Sequence, residues 1–445
     1  MSLLLHISLA ILWIIVSTSK LKIHPLVALI VASVWVGMAA GMDFLKALDE
    51  FTKGFGGLIG QIGLIIILGC IFGILLEKSN AAVRLANALW ESVGKKIPAL
   101  STTFMGAVVG VPVFCDSGFI LLNPIGKNLA KTSGISPLTF SLSLAGGLYL
   151  SHILIPPTPG PLAVAGIFGM ENQLGLVLLL GLIIMIPVLL VISWWAGRYK
   201  KVFPENQNPK TTPTENVVSN SQPAVFWSAA VLLVPLMLIG LGNLSGFFEG
   251  ELLNKTLKIM GNPLVAISVG LSIGYAKLRD PETQKSLFSE SFAKGIVIAG
   301  PILVLTGAGA GFGAILKQIG LEEIFREMNL SATSGWIWLL VCFGLAAFLK
   351  TAQGSSTSAM IIAASIALSI IPAGLLENAF FTSLCISAIG AGAMTVSHAN
   401  DSYFWIVKEF TGLTVKEALK AYTLLTGLMG MTTLAMVLLL SLFAG

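Results

Sequence analysis

The chain has 445 residues, 55% of them hydrophobic and 11% charged, with a mean hydropathy of +0.90. A soluble domain carries about 25% charged residues, so a soluble fold is excluded and an all-α polytopic membrane protein is indicated, with the lipid bilayer as its surroundings. The net charge of +5 points to no nucleic-acid partner, and Cys70, Cys115, Cys342 and Cys385 stand in apolar surroundings without metal-ligand spacing, as free buried thiols.

Met1 to Ser19 lacks a basic leader region and a small-residue cleavage site, so it is expected to be a first span and not a signal peptide. Apolar stretches of spanning or near-spanning length then run at 3–19, 25–42, 56–76, 137–155 and 174–195. A hydrophilic segment, 197–223, is rich in Pro, Asn, Thr and Ser and reads as a linker between a first half, 1–196, and a second, 224–445. The second half carries apolar stretches at 224–242, 261–276, 295–316, 379–397 and 421–443. Two further regions, 97–126 and 334–371, are apolar at both ends with a polar or Gly-rich kink between, the pattern of a re-entrant hairpin.

The halves are related by a weak internal repeat. At a shift of 240, Gly60, Gly69, Gly73 and Leu76 fall on Gly300, Gly309, Gly313 and Leu316. At a shift of 246, Ser151 and His152 fall on Ser397 and His398. If both hairpins return to the side they entered, the loops on one face hold 19 Lys and Arg against 6 on the other. The positive-inside rule then puts the linker in the cytoplasm and both termini outside. Five crossings and one hairpin per half is an odd count, which makes the two repeats inverted, with broken helices near the midplane. A cysteine placed within 205–215 is expected to be labelled only from the cytoplasmic side, and one near Glu377 only from outside. Labelling of both from one side would remove the inverted arrangement.

The residues with chemistry to offer sit at the kinks. A charge at bilayer depth costs on the order of 3 kcal/mol even on the mild insertion scale, so it marks a site or a pathway. The first kink holds Asp116 and Ser117 beside Pro112 and Gly118, and the second holds Lys350, Gln353, Gly354, Ser355, Ser356, Thr357 and Ser358. The first broken span, Ser151-His-Ile-Leu-Ile-Pro-Pro-Thr-Pro-Gly-Pro161, has four prolines that rule out a continuous helix and leave Thr158 among freed carbonyls. The second packs Ser397, His398, Asn400, Asp401 and Ser402 between apolar flanks. There His398 and Asp401, three apart, are expected to face each other on one helical turn. No H-E-x-x-H pair or P-loop is present, and the one Gly-x-Ser-x-Gly string, Gly270 to Gly274, lies inside an apolar stretch, so neither an enzyme nor ATP coupling is expected, and no cofactor or metal. Broken midplane helices also favour a carrier over a simple channel.

At these residues the chain resembles the gluconate permease family of bacterial proton symporters, within the wider ion transporter superfamily. The resemblance runs through KIHPLVALIVASVWVG at 22–37, VFCDSGFILLNPI at 113–125, HILIPPTPGPLA at 152–163 and GNPLVA at 261–266. It continues in AQGSSTSAM at 352–360 and SHANDSYFWIVKEFTG at 397–412. It implies an inner-membrane symporter of inverted-repeat fold, a homodimer in which a transport domain moves against a scaffold. The implied substrate is a small organic anion: gluconate or a related sugar acid, glycerate or 3-hydroxybutyrate, with D-serine in one branch. Two positions depart from the family, Asp116 where Glu is common and Lys350 where Arg is common, and both alter reach and substrate fit. On this reading Lys350 with the hydroxyls of Ser355 to Thr357 anchors the carboxylate, and Ser117, Thr158, Gln353, Gly354 and Asn400 complete the binding set. The coupling proton is expected on Asp116 first, then on Asp401, His152 or His398. The alternative is a sodium-coupled carrier or a cation/proton antiporter with Asp116 and the hydroxyl-rich tips as cation ligands.

Overall fold

A computed structural model describes residues 2–94, 97–133, 135–199, 224–242, 250–276, 281–320 and 335–443, and these are all helix or short connection. The linker expected at 197–223 lies almost entirely outside the described residues. Among the described residues seven helices are long and apolar enough to cross a bilayer, or eight if one pair bent by 66° counts as a single span. This is fewer than the ten stretches read from hydropathy. The helices over 2–19, 25–39 and 379–394 are apolar but short of the usual crossing length.

In chain order the first half comprises α1 (Ser2–Ser19), α2 (Pro25–Ala39), α3 (Phe44–Lys78), α4 (Ala81–Leu89), α5 (Pro98–Gly110), α6 (Cys115–Ser133), α7 (Pro137–Leu154), α8 (Pro159–Ile167) and α9 (Leu174–Ala196). The second half opens with α10 (Val225–Gly242) and the bent pair α11 (Glu251–Gly261) and α12 (Pro263–Ala276), followed by α13 (Pro281–Gln318). It continues with α14 (Gly335–Gln353), α15 (Ser356–Ile370), α16 (Ala373–Leu376), α17 (Ala379–Met394), α18 (Ser402–Thr411), α19 (Val415–Ala418) and α20 (Leu424–Ser441). A long helix, a hairpin and a broken helix thus occur in the same order twice.

The segments 43–53 and 276–294, expected as loops, are instead largely helical extensions of α3 and α13. These helices have 35 and 38 residues. At roughly 1.5 Å per residue they run about 52 and 57 Å, well past a hydrocarbon core of about 30 Å. Hydropathy sees only the lipid-facing part. The polar ends stay helical with local ion pairs at one-turn spacing, Lys53 to Asp49 at 2.7 Å and Lys294 to Glu290 at 2.6 Å. The two helices pack antiparallel. Lys78 at the end of α3 meets Glu290 near the start of α13 at 3.0 Å, while Gly54 near the start of α3 lies against Ala310 and Ala314 near the end of α13. Phe51 and Phe55 cover Gly311 and Gly307 around the same crossing, the close approach that small residues allow in lipid.

Each hairpin is gripped by the broken helix that follows it. A Cβ on Gly147 of α7 would strike the Thr103 carbonyl and the Ala107 amide of α5. One on Gly392 of α17 would strike the Phe343 carbonyl and the Ala347 amide of α14. The two crossings match at a shift of 240 in the hairpin helix and 245 in the broken one.

The register that pairs Ser151-His152 with Ser397-His398 is not kept as local structure. Ser151 and His152 lie in the last turns of α7, which runs to Leu154 before the Pro156–Pro157 pair stops it. Ser397 and His398 lie past the end of α17, in unwound chain. The second helix stops early because Thr395 turns its hydroxyl onto the Gly392 carbonyl at 2.6 Å and Val396 takes φ +50°. That left-handed conformation is rare for a β-branched residue and collects at functional breaks.

Candidate substrate and coupling site

Four helices begin at the two hairpin tips and the two breaks: α6 at Cys115, α8 at Pro159, α15 at Ser356 and α18 at Ser402. Packing brings these N-termini together. Gly160 at the start of α8 faces Thr357 and Met360 of α15, and Phe119 of α6 meets Tyr403 of α18 with ring centroids 6.0 Å apart. Each N-terminus carries the positive end of its helix dipole, so the region favours negative charge.

At its centre lies an ion pair that neither hairpin contains alone. Lys350, buried in the last turn of α14, donates from Nζ to Asp401 Oδ2 at 2.7 Å and to the Gly354 carbonyl at 2.5 Å. Asp401 is the N-cap of α18, accepting the Tyr403 amide on Oδ1 at 3.1 Å, and the Ser397 hydroxyl donates to its Oδ2. Buried charges persist only when paired and hydrogen-bonded, and here each oxygen of the carboxylate is used. The Tyr149 ring lies 5.9 Å from Lys350 Nζ, and its hydroxyl shares a 2.7 Å hydrogen bond with Ser356.

The glycine at the tip is required by its geometry. Gly354 has φ +84°, and a Cβ there would run into the Asn400 carbonyl oxygen. The hairpin tip and the unwound chain therefore touch backbone to backbone. Thr351 ties them further, its carbonyl taking the Asn400 side-chain Nδ2–H at 2.8 Å and contacting His398 Nε2 at 3.0 Å.

His398 and Asp401 consequently do not face each other on a helical turn, as their spacing suggested. The chain between them is a tight turn closed by Asp401 N–H to the His398 carbonyl at 2.8 Å, and their side chains diverge to Thr351 and Lys350. Gln353 points away from the ion pair, donating to Thr18 of α1 at 2.8 Å. Ser355 caps α15 by accepting the Ser358 amide at 3.3 Å, and Thr158 spends its hydroxyl on the Ile155 carbonyl at 2.6 Å. Ser117 follows Asp116 in the first turn of α6, both half-buried. Asp116 is within electrostatic range of Lys350 and Asp401 and has a long contact from Cys115 Sγ, 3.9 Å. His152 belongs to the other tip, its ring 5.9 Å from Phe114 and its Nδ1 buried without a partner. Asn400 Oδ1 is likewise buried and unpartnered.

The two breaks differ in access. The chain from Ser151 to Phe168 is buried throughout, whereas Thr351, Ser355, Val396, Ala399 and Ser402 around the second break are exposed. Sequence reasoning passes over Tyr149 and Tyr403, and notes Ser397 in the polar cluster without a role. A signal existed for the tyrosines: the chain has only five, and Tyr149, Tyr403 and Tyr422 pack in series at 5.6 and 5.8 Å.

The family described as GntP family permease matches residues 2–443. The chain is 31% identical to a gluconate permease of Pseudomonas aeruginosa, covering 99% of this chain and 98% of that one. It is 32% identical to the Gnt-II system L-idonate transporter of Escherichia coli K12, over 94% of each. Its fold resembles the Alcanivorax borkumensis YdaH transporter at a TM-score of 0.66 and 14% identity, covering 94% of this chain and 98% of that one.

Proposed function

The chain belongs to the GntP permease family, and on that premise we propose that it takes up a small hydroxy-carboxylate, gluconate or a close relative, together with a proton. A permease is a transporter and not an enzyme, and this one is a multi-pass helical membrane protein. The observation that carries the substrate reading is the buried ammonium of Lys350 where four helix N-termini meet, a setting that suits a carboxylate. The unpartnered Asn400 Oδ1 beside it fits a substrate hydroxyl, which has a proton to donate. The names of the gluconate and L-idonate relatives agree with that chemistry.

The proposal extends to architecture. The antiparallel packing of α3 on α13, equivalent at a shift of 240, supports two inverted repeats related by an axis in the membrane plane. The charge bias of the loops supports a reading with both termini outside a bacterial inner membrane, and a homodimer is part of the same proposal.

The test is uptake of labelled gluconate by cells or proteoliposomes carrying the full chain, with idonate, glycerate, 3-hydroxybutyrate and D-serine as competitors. Uptake is expected to collapse with a protonophore and to persist when sodium is replaced. Dependence on sodium without sensitivity to the protonophore would overturn proton coupling, and failure to take up any of these compounds would overturn the substrate class.

A further inference from the structure

We infer that Asp401 is an internal stand-in for the substrate carboxylate at Lys350, and that its displacement by the substrate is what obliges a proton to bind. This deepens the function proposed above and rests on it.

The reasoning begins with what Lys350 has to give. Its Nζ is buried, with one donor on the Gly354 carbonyl and one on Asp401 Oδ2. A substrate carboxylate reaching this ammonium meets a position that a carboxylate already holds. Asp401 can release it without losing its place, because the Tyr403 amide and the Ser397 hydroxyl hold it as the cap of α18. Two carboxylates beside one ammonium in a buried site cannot both stay ionised. Among the described residues the groups within electrostatic range of Asp401 are Lys350 of α14, Asp116 and Cys115 of α6, Tyr149 of α7, Tyr403 of α18 and Tyr422, with Lys350 the one lysine or arginine of the set; His398, whose carbonyl takes the Asp401 N–H, directs its ring to Thr351. The carboxylate that gives up its place at the ammonium is Asp401, so the balance is met by a proton on Asp401.

The charges close. Before binding the pair is Lys350 ammonium with Asp401 carboxylate. Afterwards it is Lys350 ammonium with the substrate carboxylate, and Asp401 is neutral, having gained one O–H. One proton is taken up per anion bound, and Lys350, Asp401 and the bound anion together carry the same net charge as the resting pair. Ser397 serves both forms, since a hydroxyl donates to the carboxylate and accepts from the carboxylic acid. Release reverses the exchange: Asp401 gives up its proton and returns to Lys350 as the anion leaves. The open side of the second break, at Thr351, Ser355 and Ala399, is where either partner would pass.

The experiment is equilibrium binding of gluconate to the purified full-length protein as a function of pH. In the natural protein affinity is expected to fall roughly tenfold per pH unit over the range where binding takes up one proton. Asp401→Asn keeps the shape and the cap but removes the competing charge, so binding should be tighter at high pH and independent of pH. A full pH slope retained in Asp401→Asn overturns the inference, and its loss in Asp116→Asn instead assigns the proton to Asp116. If the natural protein binds neither gluconate nor the other anions at any pH, the proposed substrate class itself falls, and this inference with it.

Discussion

Lys350→Gln is expected to abolish gluconate binding and uptake. The ammonium is the only cation buried at the convergence of helix starts among the described residues, and glutamine offers no charge to an incoming carboxylate. The variant should also be less stable, because it strands the Asp401 carboxylate in the interior with neutral donors alone. Breaking a buried pair by removing one partner costs about 3–5 kcal/mol. Adding Asp401→Asn to the same chain removes the stranded charge and should recover most of that loss without restoring binding. Unfolding temperatures in detergent, read beside binding for the single and double variants, separate the two effects. A single variant that binds gluconate as the natural protein does would show that the anion is held by backbone amides at the helix starts and not by Lys350.

Gly354→Ala is expected to have a comparably large effect through the backbone. The left-handed conformation at φ +84° disfavours any residue with a Cβ by about 1–2 kcal/mol. The new methyl would also meet the Asn400 carbonyl, a main-chain atom that cannot swing aside. Asn400 immediately precedes Asp401, so a shift there would pull the carboxylate from Lys350 and remove the Gly354 carbonyl from its place as an acceptor. A loss of about 2 kcal/mol or more, with little or no uptake, is therefore expected. Gly344→Ala in α14, the helix that leads into Gly354, is the control. Nothing lies within 4 Å of its Cβ position, so alanine should be neutral or add up to about 1 kcal/mol. Thermal melts and uptake for the two alanine variants test the comparison. Equal effects at Gly354 and Gly344 would mean that the contact with Asn400 plays no part.

Much of this architecture is legible in the residues alone, because the bilayer makes burial a local matter. A run such as 174–195 has to be a helix in lipid, and four prolines between 156 and 161 have to break one. Polar residues such as Lys350, Asp401 and Asn400 at depth have to be there for a reason, whatever they touch. Those features mark the two hairpins, the two breaks and most of the residues at the site. The lengths of α3 and α13 are not legible in the same way, since hydropathy stops where the lipid does while the helices continue on local ion pairs. Nor is the early end of α17, which depends on one threonine cap and one left-handed valine. The partnership at the centre is furthest out of reach. Lys350 and Asp401 are separated by 51 residues, and Tyr149 lies in the other half of the chain. Periodicity and spacing describe what one helix presents along its own length. Which ammonium meets which carboxylate is decided by how separate helices pack, and only the tertiary structure settles it.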